Sequence, residues 1–424
     1  MSADETQAAR SFRITGFLAL QRSTVGLLTM VVLVDMGERM AERFLPVYML
    51  AIGGGALAIG LLQAMDNLLS ALYSFPGGYL SDRIGAKRSL AVFNLAAILG
   101  FALAILIPAW GAVLVGAALF ISWSALSLPA TMSLIYRVLP KNKRTMGVSM
   151  HSLVRRIPMA LGPLIGGFCI SAWGEREGVR VAFAVALGMA VVALFLQQLL
   201  ITDGQAGAES PSSNSLAPTS DRSGLWALLS PGLKQLLLSD ILIRFCEQIP
   251  YAFVVVWCMK AIAQPVTAVQ FGLLTTVEMA TAVLVYIPVA YLADRSAKKP
   301  FVLITFGFFT LFPLVLLQCR SFGWLIVAFI LRGLKEFGEP TRKSLILDMC
   351  PDNRKAAAFG FYYLIRDVVV SVAALGGAFL WQISPRTNLL TAFVFGIIGT
   401  VAFAILGRDI STGAAAPRSR ADHQ

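Results

Sequence analysis

Residues 78–88 read Gly78-Tyr79-Leu80-Ser81-Asp82-Arg83-Ile84-Gly85-Ala86-Lys87-Arg88. A weaker copy, Ala290-Tyr291-Leu292-Ala293-Asp294-Arg295-Ser296-Ala297-Lys298-Lys299, follows 212 positions later in a chain of 424 residues. The same offset aligns Gly60-Leu61-Leu62 with Gly272-Leu273-Leu274, and Asp66 with Glu278. Self-similarity at half the chain length marks a duplicated unit. Each copy is a short polar break between long apolar runs, so it reads as a tight loop between two helices. Gly78 permits close helix approach, Gly85 permits the turn, and Asp82 can cap a helix N-terminus or pair with a cation.

Outward from these loops the chain is strongly apolar, with 57% hydrophobic and 14% charged residues and a mean hydropathy of +0.74. A soluble enzyme is excluded by that balance. A spanning helix needs about 20 predominantly apolar residues, and twelve runs qualify. Six fall at Thr24–Leu50, Ala56–Tyr79, Ser89–Ile107, Trp110–Ile135, Thr145–Trp173 and Val181–Ile201. Six more fall at Leu233–Met259, Thr267–Tyr291, Phe301–Leu317, Gly323–Asp348, Ala356–Ile383 and Leu389–Leu406. The organisation expected is a tail over 1–22, a six-helix bundle over 23–202, a Ser/Pro/Gly/Ala-rich linker over 203–230, a second bundle over 231–407, and a tail over 408–424. Twenty of the 35 Lys and Arg residues fall on the side of the termini and five on the other. By the positive-inside rule both termini are cytoplasmic, in the cell (inner) membrane.

This topology accounts for most of the net charge of +12, which forms no basic stripe, so no nucleic-acid partner is expected. Cys169, Cys246, Cys258, Cys319 and Cys350 are scattered singly, and His151 and His423 are isolated. No metal or cofactor site is expected from them, and no nucleotide cradle or catalytic triad is present. The partners left are the lipid bilayer, a small-molecule substrate and a coupling ion such as the proton.

A loop of the form G-x-L-A/S-D-R-x-G-x-K/R-K/R between helices two and three, with a weaker copy between eight and nine, resembles the signature of the major facilitator superfamily. Gly78, Asp82, Arg83, Gly85, Lys87 and Arg88, with Asp294 and Arg295 in the copy, are the residues that match. The resemblance implies an all-α integral membrane fold of twelve transmembrane helices in two pseudo-symmetric six-helix bundles, acting as a monomer. It implies secondary transport by alternating access, with the loop as a gate and no enzymatic activity. On helix five, Gly162-Pro163-Leu164-Ile165-Gly166-Gly167 is similar to the G-P-x-x-G-G core of antiporters in that superfamily, although Pro158 stands where their upstream glycine is expected. That points to export; glycine-rich helix packing is the structural reading of the same residues. Glu42-Arg43-Phe44 resembles the end of the ExxERF signature of proton-coupled oligopeptide transporters, but the first Glu of that signature falls on Arg39. Proton-driven uptake is therefore the alternative, and a non-transporting sensor or scaffold a remote third.

Ionisable groups at bilayer depth cost about 2.5–3.5 kcal/mol each on the insertion scale, so they face protein or a wet cavity and are functional candidates. The runs for helices three, six, nine and twelve carry none, which agrees with four peripheral helices around a lined cavity. Helix one holds Asp35, Glu38, Arg39 and Glu42, and helix seven holds Asp240, Arg244 and Glu247, so D-x3-R-x2-E occurs twice on one helical face. On helix ten, Arg332, Lys335, Glu336, Glu339 and Lys343 follow at i, i+3, i+4, i+7 and i+11, one face of a single helix. Arg155-Arg156 on helix five and Arg366-Asp367 on helix eleven lie about 15 Å in from the cytoplasmic ends at 1.5 Å per residue. Arg156 and Arg332 are the expected anchors for an anionic group, with Arg39, Arg244, Lys335, Arg366 and Asp367 also lining the cavity. Asp66 and Glu278 have no cation in the adjacent turns of their own helices and are the expected proton carriers, Asp66 ahead of Glu278, with Asp35, Glu42 and Glu247 behind them.

Overall fold

The computed structural model describes residues 22–121, 123, 126–128, 131, 134, 154–200, 226, 229–293, 297–351 and 355–407. Asp294 and Arg295, most of the linker and both tails lie outside the described residues. The described part is almost wholly helical: α1 Arg22–Glu42, α2 Leu45–Ala51, α3 Ala56–Ile84, α4 Ala86–Leu106, α5 Trp110–Phe120, α6 Arg156–Leu200, α7 Pro231–Tyr251, α8 Val254–Val256 running into a π-helical turn Trp257–Ala261, α9 Ala268–Ala293, α10 Lys298–Gln318, α11 Phe322–Leu334, α12 Glu339–Met349, α13 Lys355–Ile383 and α14 Pro385–Leu406. Seven described helices are long and apolar enough to cross a membrane, or eight if the bent pair α7–α8 is one span. The order of segments is consistent with twelve spans: α1–α2 is too polar for that test, α5 runs into residues not described, and α6 holds two spans.

Prolines and glycines decide where the spans break. Pro46 at the start of α2 cannot donate to a preceding carbonyl, and the expected single helix over Thr24–Leu50 splits at Arg43-Phe44. Pro250 does the same in the seventh span, which bends by 43° between α7 and α8. At that bend Phe253 donates its amide to the carbonyl of Pro250 at 2.8 Å. The amide of buried Asn388 donates to the carbonyls of Ile249 at 3.1 Å and Gly377 at 2.8 Å, tying α7, α13 and α14 together. In the tenth span the expected continuous helix is replaced by α11, a run of short turns over 335–338, and α12 with Pro340 in its first turn. Gly174, at φ +80°, folds α6 back on itself. The uncharged runs also start later than their helices: α4 takes in Lys87 and Arg88, α10 takes in Lys298 and Lys299, and α14 takes in Arg386.

The two halves meet where small residues let backbones touch. A Cβ on Gly60 would lie 2.4 Å from Ala378 Cβ, one on Gly167 2.5 Å from the Ala268 carbonyl oxygen, and one on Gly272 2.7 Å from that of Pro163. Gly60, Ala378, Ala268 and Gly272 all stand at the helix ends remote from the 82–88 loop. An ion pair joins the same end, Lys260 Nζ to Glu175 at 2.5 Å. At the other end Gly85 turns between α3 and α4 at φ +88°, Gln197 donates to the Lys87 carbonyl at 2.7 Å, and Lys87 Nζ donates to the Gln198 carbonyl at 3.1 Å. Gly78 and Asp82 belong to α3, and only their backbone is described.

The helix-five glycines press on α1. A Cβ on Gly162 would meet Arg39 Cβ at 2.6 Å, and one on Gly166 would meet the Met40 carbonyl oxygen at 2.0 Å. Gly166→Ala therefore has to displace the backbone of α1 and should cost about 1–3 kcal/mol by overpacking. Gly188→Ala, with nothing within 4 Å, should leave stability unchanged. The thermal unfolding midpoints of the two purified variants in detergent check the contrast.

Candidate functional site

The repeated D-x3-R-x2-E segments build the same device in both halves. In α1, Arg39 lies 3.8 Å from Asp35 and makes a short ion pair with Glu42; in α7, Arg244 lies 4.0 Å from Asp240 and 2.6 Å from Glu247. Helical spacing brings the three side chains of each segment together. Each aspartate is fully buried and takes a further cation from a neighbouring helix. Asp35 is reached by Arg155 at 3.4 Å. Asp240 is reached by Arg342 in a short ion pair and by Arg366 at 3.6 Å, and it accepts from Tyr362 Oη at 3.0 Å.

From Glu247 the second network runs on into a cavity. Lys335 lies 2.8 Å from Glu247 and 3.6 Å from Glu278, and Arg332 lies 3.3 Å from Glu278. Glu247, Tyr251, Phe308, Phe309, Phe312, Arg332 and Lys335 line this cavity, with Val254. The guanidinium of Arg332 stands 5.3–5.6 Å from the ring centres of Phe312, Tyr251 and Phe329. Arg43, from the first half, faces the same Tyr251 ring at 5.3 Å. The two helix breaks explain this meeting: Arg43 occupies the gap between α1 and α2, and Tyr251 the bend after α7. Cations held against aromatic faces and partly matched by carboxylates suit an anionic or zwitterionic ligand with an apolar body.

Asp66 and Glu278 hold matching positions in the repeat and different surroundings. Asp66 accepts from Gln63 and Ser70, each at 3.4 Å, and has no ion pair within 4 Å among the described residues. Its neighbour Asn67 donates to Gln248 of α7 at 3.2 Å, across the two halves. Glu278 is 1% exposed and clamped by Arg332 and Lys335.

The structure adds two pairings and corrects one expectation. Arg155 of the fifth span pairs with Asp35 at 3.4 Å, and Arg156 lies within electrostatic reach of Glu336. Arg366 and Asp367 bond each other at 2.6 Å, besides the reach of Arg366 to Asp240. The single ionic face of helix ten does not form, because the break over 335–338 turns α12 relative to α11. That turn brings in Arg342, which sequence reasoning missed: it is 1% exposed, bound to Asp240, and 2.8 Å from Glu339. On one continuous helix Arg342 would lie off the Arg332 face. Pro340 was the available signal that the helix is not continuous. Lys343, beside it, stays half-exposed and touches Glu339 at 3.4 Å.

A profile of the Major Facilitator Superfamily matches residues 27–264 and 236–423. The MFS-type transporter MJ1317 of Methanocaldococcus jannaschii is 23% identical over 393 residues, covering 86% of this chain and 89% of the relative. The MFS-type transporter YfkF of Bacillus subtilis is 26% identical over 153 residues, 36% of this chain and 38% of the relative. Among solved structures, the nucleoside transporter NupG superposes with a TM-score of 0.75 at 12% identity, covering 91% of this chain and all of that one. A peptide transporter POT gives 0.72 at 15% identity, covering 91% and 93%. These likenesses concern the fold.

The hub at Asp240 sets the stability expected of this site. Arg342→Met leaves Asp240 short of its closest cation inside the bundle, and breaking a buried pair from one side costs about 3–5 kcal/mol. Arg342→Met with Asp240→Asn should recover part of that loss, because the orphaned charge is gone. Unfolding midpoints of the single and double variants in one detergent check the non-additivity.

Proposed function

The chain belongs to the major facilitator superfamily, a family of membrane transporters and not of enzymes, and we propose that it is a proton-coupled exporter of a small organic anion or zwitterion. The observation that carries this reading is the cluster in which Arg43 and Arg332 share the Tyr251 ring, where Arg332, Lys335, Phe309 and Phe312 border a water-sized opening that widens for the solute as the halves move. A carboxylate or phosphate on the solute bonds the guanidiniums, and its carbon skeleton lies on the rings. The protein works as a monomer in the cell membrane with both termini cytoplasmic. The site alternates between sides as the halves rock about the glycine contacts of α3 with α13 and α6 with α9, and the loop at Asp82 and its copy at Asp294 gate the cytoplasmic side.

Asp66 carries the proton. It is a carboxylate within the bundle that accepts from a glutamine amide and a hydroxyl, and among the described residues no cation lies within 4 Å to hold it ionised as the site empties. Glu278, between Arg332 and Lys335, stays charged and orients the arginine toward the solute.

A panel of small carboxylates, phosphates and zwitterions screened by thermal shift identifies solutes, since whatever binds the folded state raises its apparent stability. Arg332→Gln should weaken an anionic hit by about 1.5–3 kcal/mol, the worth of a hydrogen bond to a charged group, and its neutral analogue far less. Parallel losses would make Arg332 a structural partner of Glu278 only. In proteoliposomes, Asp66→Asn should abolish movement of the hit driven by a pH gradient and spare exchange without one. Undiminished pH-driven movement in that variant would remove Asp66 from the mechanism.

A further inference from the structure

The two ionic clusters differ in their charge count. In the second half, Asp240, Glu247, Glu278, Glu339 and Asp367 stand against Arg244, Arg332, Lys335, Arg342 and Arg366, five of each sign in mutual contact, with half-exposed Lys343 at the edge. In the first half, the ion pairs within 4 Å among the described residues join Asp35, Glu38 and Glu42 to Arg39, and Asp35 also to Arg155. Arg39 serves all three carboxylates, and its short pair with Glu42 takes most of that capacity. Arg155 goes to Asp35. Glu38 is left with the longest contact, 3.8 Å to Arg39 Nη2, and its Oε2 has no hydrogen-bond partner although the residue is 2% exposed.

Among the described residues, no cation other than Arg39 lies within 4 Å of Glu38. α1 packs chiefly on α6, and the arm of α6 that meets Gly37 through Ala186 has no ionisable residue over 181–200. Arg43 faces Tyr251 and stands in the field of Glu278 and Glu42 without an ion pair to Glu38, and Arg156 lies in the field of Glu336. Asp66 adds negative charge to the same half, and Glu278 is matched by Arg332 and Lys335. A buried carboxylate without its own cation is tolerated far better as the neutral acid than as the anion.

We infer that Glu38 is a second proton-binding carboxylate, distinct from Asp66. The neutral acid lets its buried Oε2 do without a donor and leaves the short pair of Arg39 with Glu42 undisturbed. Release of that proton leaves one uncompensated negative charge inside α1, which favours the arrangement that opens the cluster to water. The use of this proton in transport rests on the exporter reading; its presence on Glu38 does not.

The experiment is a pH titration of the full-length protein in liposomes, read by the infrared carbonyl band of protonated carboxyl groups. Wild type should keep, near neutral pH, a band that Glu38→Gln reduces by one carboxyl equivalent per chain. The same loss should appear when Glu38→Gln is added to Asp66→Asn, and Glu38→Asp should shift the band without abolishing it. An unfolding midpoint like that of wild type shows that Glu38→Gln is folded; if it is not, Glu38→Asp carries the test by its shifted band. A spectrum unchanged by both substitutions overturns the inference. So does a band that disappears when sodium replaces choline in the buffer, since the seat would then hold a metal cation. If the band behaves as expected while Asp66→Asn still moves solute down a pH gradient, the proton on Glu38 stands and the assignment of coupling to Asp66 falls.

Discussion

Charge inside a hydrocarbon-bounded bundle is tolerable only where an opposite charge lies against it, and the arginines of the two D-x3-R-x2-E segments meet that demand for much of the interior. Arg39 and Arg244 each bridge an aspartate one turn before and a glutamate three residues after, so each helix carries its own ionic unit. Neither unit is closed. The aspartate of each needs another cation from a neighbouring helix, supplied by Arg155 in one half and by Arg342 and Arg366 in the other. The position of the fifth span in the first half, and of the tenth and eleventh in the second, is therefore tied to the chemistry of the first and seventh.

Broken helices turn this network toward a cavity. An unbroken first span would carry Arg43 on around the helix, and the bend after Tyr251 sets the direction in which the seventh span continues. Pro46 and Pro250 each remove a backbone donor, and at both gaps a side chain reaches the boundary between the halves. Asn388 occupies the carbonyl of Ile249 at the second gap, so the bend is satisfied and rigid. Glycines do the complementary work at the remote ends, where α3 meets α13 and α6 meets α9 at distances that leave no room for a Cβ. One end of the molecule is joined backbone to backbone, while charged and aromatic side chains fill the space behind it.

The halves are related by duplication and yet differ in how their matching acids are partnered. Asp66 and Glu278 occupy equivalent positions, but α11 brings Arg332 and Lys335 to one of them, and no described ion pair reaches the other. Local sequence could not separate the two acids, because neither has a cation on its own helix. The difference lies in which helix packs beside each, and that is set by the path of the chain through the bundle.

The amino-acid sequence by itself determined the membrane class, the helical runs, the duplication at 212 residues, the turn at Gly85 and the pairing within α1 and α7, all of which depend on composition, on a repeat along the chain, or on residues within two helical turns of one another. It did not determine where the first, seventh and tenth spans break, although Pro46, Pro250 and Pro340 were in view, because a proline in a membrane helix can be absorbed when neighbouring groups satisfy the freed carbonyls. Only the tertiary structure decided that Arg155 meets Asp35, that Arg342 belongs to the Asp240 hub, that Glu278 is clamped, and that among the described residues Glu38 has only a share of Arg39. Each of those outcomes depends on the rotation of one helix about its axis against another, which side-chain packing sets and spacing along a single helix does not contain.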